Sequence, residues 1–129
     1  AELPTEGGRR YDNVVLLLSD DAVLSVRQRI PVPYSMYRPF SGTGANLHLF
    51  DEPSGILRLP DGRKAAAIVC YEGHLSLPCL LSFLHGPELL LWVGNQWWCR
   101  DTSLPLIQER SVWLWAQLFG LPVAASRNR

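Results

Sequence analysis

A cysteine at the end of a buried apolar run is the residue of this sequence best placed to do chemistry. Residues 65–70 (AAAIVC) are apolar throughout, as expected of a strand covered on both faces. Helix signals follow within a few residues, so the strand turns into a helix at Cys70. Such a turn presents the sulfur at the sheet edge, with the following backbone N–H groups placed to hold an oxyanion. Nucleophilic acyl chemistry needs this geometry, but free cysteines are also often buried core residues.

Polar and aromatic residues follow the other predicted parallel strands as well. Tyr71 and Glu72 come directly after Cys70, residues 95–98 (NQWW) follow the next strand, and residues 127–128 (RN) follow the last one. Ligands of open parallel sheets bind beyond the carboxyl ends of the strands. We therefore expect these residues to lie at one edge of the sheet.

The first part of the chain, residues 12–64, is predicted to form short strands around a long loop. The loop over 30–46 contains three prolines and two glycines, which excludes a helix or a central strand there. Loops of that length are often functional, so it is a candidate wall of a site or else a simple surface excursion. The strands predicted from apolar runs are 13–18, 22–26, 47–50 and 56–59.

The second part, residues 65–129, alternates between strands and helices. Strands are predicted over 65–70, 89–93 and 122–126, and helices over 76–84 and 104–119. Ser76 and Ser103 are the predicted helix caps, and Gly120 is the predicted stop. Right-handed crossovers make this βαβαβ segment a parallel, helix-covered sheet, so the fold class is α/β. The second helix is predicted to bury one apolar face, which comprises Leu104, Ile107, Val112, Leu114, Trp115, Leu118 and Phe119. Trp113 lies opposite and is interpreted as an interface residue.

Composition and charge exclude several classes of function. The 129 residues are 47% hydrophobic and 19% charged, which describes one globular unit and excludes a disordered chain. Twelve basic residues balance twelve acidic ones, so general binding to nucleic acid is not indicated. The three cysteines lack the spacing of a zinc ribbon or a disulfide framework. No metal or other cofactor is expected, and the longest apolar run is too short to span a membrane.

The ordered motifs of the second part resemble the C-terminal half of a nitrilase-superfamily (carbon–nitrogen hydrolase) domain. They are residues 68–72 (IVCYE), 94–98 (GNQWW), 119–123 (FGLPV) and 126–128 (SRN). In that family a cysteine followed by Tyr-Glu precedes Ser-Asn-(x)-x-Trp, then a helix, and then Gly-Arg-Pro leading to Ala-Thr-Asn. The resemblance covers roughly residues 10–129. Its nearest branches are the apolipoprotein N-acyltransferases and the TraB-type conjugal-transfer proteins.

The resemblance implies a four-layer αββα sandwich and a Glu-Lys-Cys triad whose thiolate forms a thioester with an acyl or amide substrate. Cys70 would be the nucleophile, the backbone N–H of Tyr71 would contribute to the oxyanion hole, and Glu72 would support the site. The pocket would be shaped by Asn95 with Trp97 or Trp98. The family's general-base glutamate would lie upstream, so residues 1–129 would be one partial domain of a larger protein. The branch suggests a bacterial, membrane-anchored protein with this domain outside the cytoplasm.

The lysine of the family's triad has no counterpart here. Aligning Pro33 with the family's proline places Gln28 at the lysine position, and one inserted residue places Arg27 there instead. Strand alternation sends these two side chains to opposite faces, and we expect Arg27 to face the cysteine. Lys64, the chain's only lysine, lies at the other end of the strand that carries Cys70. Met36 stands where the family's loop glutamate would be.

Three functions follow from these patterns. The first is a carbon–nitrogen hydrolase or N-acyltransferase-like domain from a conjugal-transfer-type protein, and the second is a catalytically degenerate relative with a binding or assembly role. The third is an unrelated doubly wound binding domain, which lacks a Gly-rich phosphate loop. Under the first two, the chain alone is expected to be inactive, because the triad is incomplete. Half a sandwich leaves an apolar face, so self-association or a tightly held remainder of the domain is expected.

Overall fold

Two small sheets and two helices form the described part of the molecule. The computed structural model describes residues 2–5, 9–19, 23–51 and 55–128. The first sheet contains β1 (Glu2–Pro4), β2 (Arg10–Leu18), β3 (Val23–Arg27) and β4 (Gly44–Ala45). The second contains β5 (Ile56–Arg58), β6 (Lys64–Val69), β7 (Leu89–Asn95) and β8 (Val123–Asn128). The helices are α1 (Ser76–Phe83) and α2 (Leu104–Phe119).

Strand β2 is the centre of the first sheet. It pairs antiparallel with β1 and β3 and parallel with the two-residue β4. The predicted hairpin is confirmed, with Val14 opposite Arg27 and Leu18 opposite Val23. The predicted first residue of its second strand, Ala22, lies outside the described residues. Strand β2 starts at Arg10, earlier than predicted, because β1 and β4 pair with its polar first residues.

The strand predicted over 47–50 is wrong, because a histidine between two carboxylates holds this segment in a turn. The ring of His48 lies 2.8 Å from Asp12 Oδ1 through Nε2 and 2.5 Å from Asp51 Oδ2 through Nδ1. The backbone N–H of Asp51 also donates to the His48 carbonyl at 3.2 Å, which closes the turn. Burial acts to raise the pKa of Asp12, but hydrogen bonds from Asn46 and His48 and the charges of His48 and Arg27 outweigh it. The net pKa of Asp12 therefore lies below its ordinary value.

The second sheet confirms the predicted parallel βαβαβ segment. Strands β6, β7 and β8 are parallel, and β5 adds an antiparallel edge, so the sheet is mixed. Helices α1 and α2 are the two crossovers. One face of the sheet packs against them in a core of Ile56, Ala66, Ile68, Cys79, Phe83, Leu90, Trp92, Val112 and Ala116. The described structure is therefore mixed α/β, and the four-layer nitrilase-like sandwich stays a prediction.

Helix α2 has the predicted bounds but not the predicted buried face. Its buried residues are Gln108, Val112 and Ala116, a stripe only one residue wide. Four residues of the predicted buried face are instead exposed, namely Ile107, Leu114, Leu118 and Phe119. Helix α2 packs on the turn after Cys70, and its contact with the core is made by Val112 and Ala116 and not by the whole predicted face. Trp113 is exposed, as an interface residue requires.

The predicted residues at the helix ends are confirmed only in part. Gly120 ends α2 in the left-handed conformation (φ 64°), as predicted. The predicted cap Ser103 makes no side-chain cap bond, and Thr102 Oγ1 instead accepts from the N–H of Leu104 at 3.2 Å. Ser76 is the first helical residue of α1 and not its cap. Neither helix in the described ranges has the length and apolar character that crossing a membrane requires.

Candidate functional site

A cavity of about 710 Å³ opens beyond the carboxyl ends of β6 and β7, between the two sheets. Its walls come from β2 of the first sheet, from the long loop after β3, and from the residues that follow β6 and β7. The loop over 30–46 is thus a wall of the cavity, through Val32, Ser35 and Met36. Four of the sequence-predicted site residues line it together: Cys70, Asn95, Trp97 and Trp98.

Cys70 directly follows β6 and begins a short 3₁₀ helix, Cys70–His74, so the chain turns sharply at this residue. Its φ is 49°, in the left-handed region that residues other than glycine rarely adopt. Such a conformation costs of order 1–3 kcal/mol and persists only where surrounding contacts impose it. The Cys70 thiol is partly exposed to the cavity and lies 4.0 Å from the Asn95 carbonyl oxygen. The strand-to-helix turn predicted from the sequence is therefore present, with the sulfur facing the cavity.

The carboxylate of Glu72 imposes that turn. It is fully buried and accepts hydrogen bonds from three backbone N–H groups: those of Val69 (3.1 Å), Ile30 (3.0 Å) and Arg29. Val69 directly precedes Cys70, so one oxygen closes the turn locally. The other oxygen ties the turn to residues 29 and 30 of the loop. Glu72 therefore fixes the turn that carries Cys70 and the facing wall relative to each other.

The charge of Glu72 is balanced by a buried guanidinium. Arg29 Nη2 lies 3.5 Å from Glu72 Oε2, and both side chains are almost fully buried. Arg29 Nη1 donates to the Pro78 carbonyl at 2.6 Å and to Ser82 Oγ at 2.7 Å, on α1. Burial raises the pKa of the Glu72 carboxyl, while Arg29 and the backbone donors act in the opposite direction.

Gly55 makes room for this guanidinium. It has a φ of 64°, and a Cβ at this position would lie 2.5 Å from Arg29 Cζ. A side chain there would displace the guanidinium from its place beside Glu72.

The structure reverses the expected placement of Arg27 and Gln28. Gln28 lines the cavity with Cys70, and Arg27 lines a separate hollow on the other side of β3. Arg27 Nε contacts Asp12 Oδ2 at 3.0 Å, and its side chain is 59% exposed. Strand alternation correctly separates the two side chains but does not say which face carries the site. The expectation that Arg27 rather than Gln28 faces the cysteine is therefore wrong, because the side of β3 on which Gln28 lies is the one turned toward β6, where Gln28 Nε2 reaches the Val69 carbonyl.

The side-chain amide of Gln28 is held in place by three hydrogen bonds. Its Oε1 accepts from Asn13 Nδ2 at 2.9 Å, and its Nε2 donates to the carbonyls of Ile30 (3.3 Å) and Val69 (3.4 Å). The side chain is 2% exposed. It therefore forms a second tie between the loop wall and the residue before Cys70.

The two tryptophans lie at the mouth of the cavity, and Tyr71 lies outside it. Trp97 is 61% exposed and Trp98 is 52% exposed, and Trp98 Nε1 donates to the Asn95 carbonyl at 2.9 Å. The ring of Tyr71 packs edge-on against His74, with ring centroids 6.2 Å apart. The oxyanion role assigned to the Tyr71 backbone N–H stays a prediction.

The cavity also holds residues that the sequence did not single out. Glu2 of β1 lines it, as do Tyr11 and Asn13 of β2. Burial raises the pKa of Tyr11, and the charge of Glu2 adds to this while Arg38 opposes it. Glu2 belongs to a three-residue strand at the start of the chain, where the sequence has no periodicity that could predict its pairing. Only the pairing of Glu2 opposite Asn13 brings its carboxyl to the site.

The fold and the cavity define an α/β protein with a cysteine at a strand-to-helix turn above a ligand-sized cavity. The chain is 37% identical over 124 residues to the conjugal transfer protein TraB of Agrobacterium fabrum. It is 38% identical over 124 residues to the probable conjugal transfer protein TraB of Sinorhizobium fredii. Each alignment covers 92% of this chain but only 29% and 31%, respectively, of the two relatives. No protein-family model matches the chain, and no solved structure matches it.

We predict that Cys70 reacts with alkylating reagents well before the other two thiols. Cys79 is fully buried and burial raises the pKa of its thiol to about 12, while burial also raises the pKa of Cys99. Only the thiolate reacts, and Cys70 alone of the three is open to the cavity. Limited alkylation followed by peptide mapping measures the order of labelling. Earlier labelling of Cys79 or Cys99 would contradict the assignment of Cys70.

We predict that Glu72→Gln destabilises the fold by about 3–5 kcal/mol, because it leaves the buried guanidinium of Arg29 without its counter-charge. Urea unfolding of the chain gives the loss. The double variant Glu72→Gln/Arg29→Met should recover part of it. Glu109→Gln is the matched control, since it breaks the partly exposed ion pair with Arg127 and should cost less than about 1 kcal/mol. Equal losses for the two single variants would show that Glu72 does not hold the turn.

Proposed function

We propose that this chain is a segment of a TraB-type conjugal-transfer protein in which Cys70 carries out nitrilase-like acyl transfer. The observation that carries the proposal is the left-handed Cys70 at the strand-to-helix turn, with its thiol facing a cavity. The similarity to the two TraB proteins supports the conjugal-transfer setting. The acyl chemistry is supported by the cysteine geometry and by the motif resemblance around residues 68–72.

The proposed reaction passes through a thioester. The Cys70 sulfur bonds to the carbonyl carbon of an amide or ester, and the bond from that carbon to nitrogen or oxygen breaks. The leaving amine or alcohol takes up the proton that the thiol gave up. Water or an acceptor amine then attacks the thioester, and the proton it releases returns to the sulfur.

Glu2 is the proposed base for this proton transfer. Among the described residues that line the cavity, it supplies the only carboxylate. A carboxylate beside a thiol can take its proton directly or through one water molecule. This assignment replaces the expectation that the base lies entirely outside the chain.

A degenerate domain with a binding or assembly role is the second candidate, and Gln28 favours it. The amide of Gln28 is engaged by Asn13 and by two backbone carbonyls, so it cannot act as a proton donor or a cation beside Cys70. Met36, which also lines the cavity, adds no charge. The two candidates share one architecture and differ in whether Cys70 becomes acylated.

We expect an activated neutral ester such as p-nitrophenyl acetate to acylate Cys70 in a single turnover, although steady turnover by this chain is not expected. Intact mass and peptide mapping locate the acyl group. Cys70→Ser should abolish the adduct, and Glu2→Gln should slow its formation about a hundredfold. Glu88→Gln is the control, because Glu88 contacts the backbone of Lys64 at the far end of β6. Absence of acylation at Cys70 would support the degenerate domain.

We further propose that the remainder of the polypeptide covers an apolar cleft between the sheets. The cleft, of about 510 Å³, is lined by β2 and by β6, β7 and β8, and Leu16 on its rim is 43% exposed. The TraB relatives are about three times as long as the aligned segment, which supports such a cover.

The chain alone should therefore self-associate, as measured by size-exclusion chromatography with light scattering. Leu16→Gln should reduce this association, whereas Leu84→Gln, at the exposed end of α1, should not. A monomeric wild-type chain would contradict the proposed cover.

A further inference from the structure

The cavity that contains Cys70 is uncharged over most of its wall. Its polar side chains include the neutral amides of Asn13 and Gln28. Its apolar wall is formed by Val14, Val15, Val32, Met36, Val69 and Val93. An acyl group that enters therefore exchanges water for aliphatic side chains, which favours an aliphatic body.

The side-chain amide of Gln28 is not available to hold a carboxylate. Both donor directions of Gln28 Nε2 point to backbone carbonyls, and its oxygen accepts from Asn13. A buried ligand carboxylate needs charged or N–H partners to replace its lost water. Gln28 offers none in this arrangement.

No cation among the described residues lines the cavity. Arg27 and Arg29 flank Gln28 in sequence but are turned away, to Asp12 and to Glu72 respectively. Arg38 acts on Tyr11 electrostatically without lining the cavity. The charged group that does line it is Glu2, which repels an anion.

We propose that the Cys70 cavity selects an uncharged acyl group with an aliphatic body and rejects anionic acyl groups, because a neutral Gln28 and the carboxylate of Glu2 line it with no cation among the described residues. The part of this proposal that concerns the acyl donor rests on the proposed acyl transfer. The preference for neutral over anionic groups is a property of the cavity and can be tested without that reaction. A lysine at position 28 would place a cation in the cavity that Cys70 lines. The glutamine present at this position instead contributes a neutral amide to the cavity wall.

The selection is tested by alkylating Cys70 with a neutral and an anionic reagent of the same size, iodoacetamide and iodoacetate. Each forms the same bond, from sulfur to carbon, with loss of iodide, so the rate ratio reports the environment of the thiol. We expect the ratio of neutral to anionic rates, divided by that of N-acetylcysteine amide, to be about ten or more. A factor of ten corresponds to about 1.4 kcal/mol.

The variants test whether the absence of a cation from the described cavity wall causes the selection. Gln28→Lys should bring the normalised ratio down toward one, and Gln117→Lys, on the exposed side of α2, should leave it unchanged. Because Gln28 is buried, Met36→Lys on the loop wall provides a second cation in the same cavity, and it should lower the ratio even if the first variant does not fold.

The outcomes separate this selection from the acyl transfer itself. A normalised wild-type ratio near one, or a Cys70 that reacts with neither reagent, would overturn the selection. A ratio that neither lysine variant changes would overturn it as well. A high ratio without an acyl-enzyme from the neutral ester supports the selection and counts only against the proposed acyl transfer.

Discussion

The buried carboxylate of Glu72 is the interaction on which the cavity depends. It is bonded to the backbone of Val69 on one side and to residues 29 and 30 on the other, which are more than forty positions away in the chain. A buried charge is tolerable only when its hydrogen bonds are made and its charge is balanced, and Arg29 supplies that balance. Because one side chain satisfies backbone groups of both walls, neither wall can shift without leaving a polar group unpaired. The left-handed conformation of Cys70 is held by this constraint.

That Cys70, Asn95 and the two tryptophans lie at one edge of the sheet could be predicted from the sequence, because it follows from the parallel strand topology. Apolar runs of strand length alternate with helical periods, right-handed crossovers make the strands parallel, and the residues after each strand then share an edge. The end of α2 at Gly120 could also be predicted from the local sequence, because a glycine in the left-handed conformation ends a helix. These inferences do not require knowledge of the tertiary contacts.

The features that the sequence missed all depend on tertiary contacts. Which face of β3 carries the site depends on how the first sheet packs toward β6, where Gln28 reaches the Val69 carbonyl while Arg27 contacts Asp12 on the other side. The turn at His48 depends on the same carboxylate. The narrow buried stripe of α2 depends on its packing against the turn after Cys70, and the place of Glu2 depends on a three-residue strand pairing. No local period in the sequence encodes any of these contacts.

Alternation along β6 and β7 sends their side chains to the two faces of the sheet, and the apolar cleft lies on the face away from the helices. Ala66 and Leu90 belong to the core beneath the helices, whereas Ala67, Leu91 and Val93 line the cleft toward β2. A segment that enters the cleft therefore lies on the opposite side of the sheet from the exposed leucines of α2. The cleft and the Cys70 cavity are neighbours, because Val14, Val15 and Val93 line both. A segment that covers the cleft therefore also contacts residues of the cavity wall. Helix α2 shares no described lining residue with the cavity, but it contacts the turn after Cys70 from the other side, where Trp115 Nε1 donates to the Gly73 carbonyl at 3.1 Å.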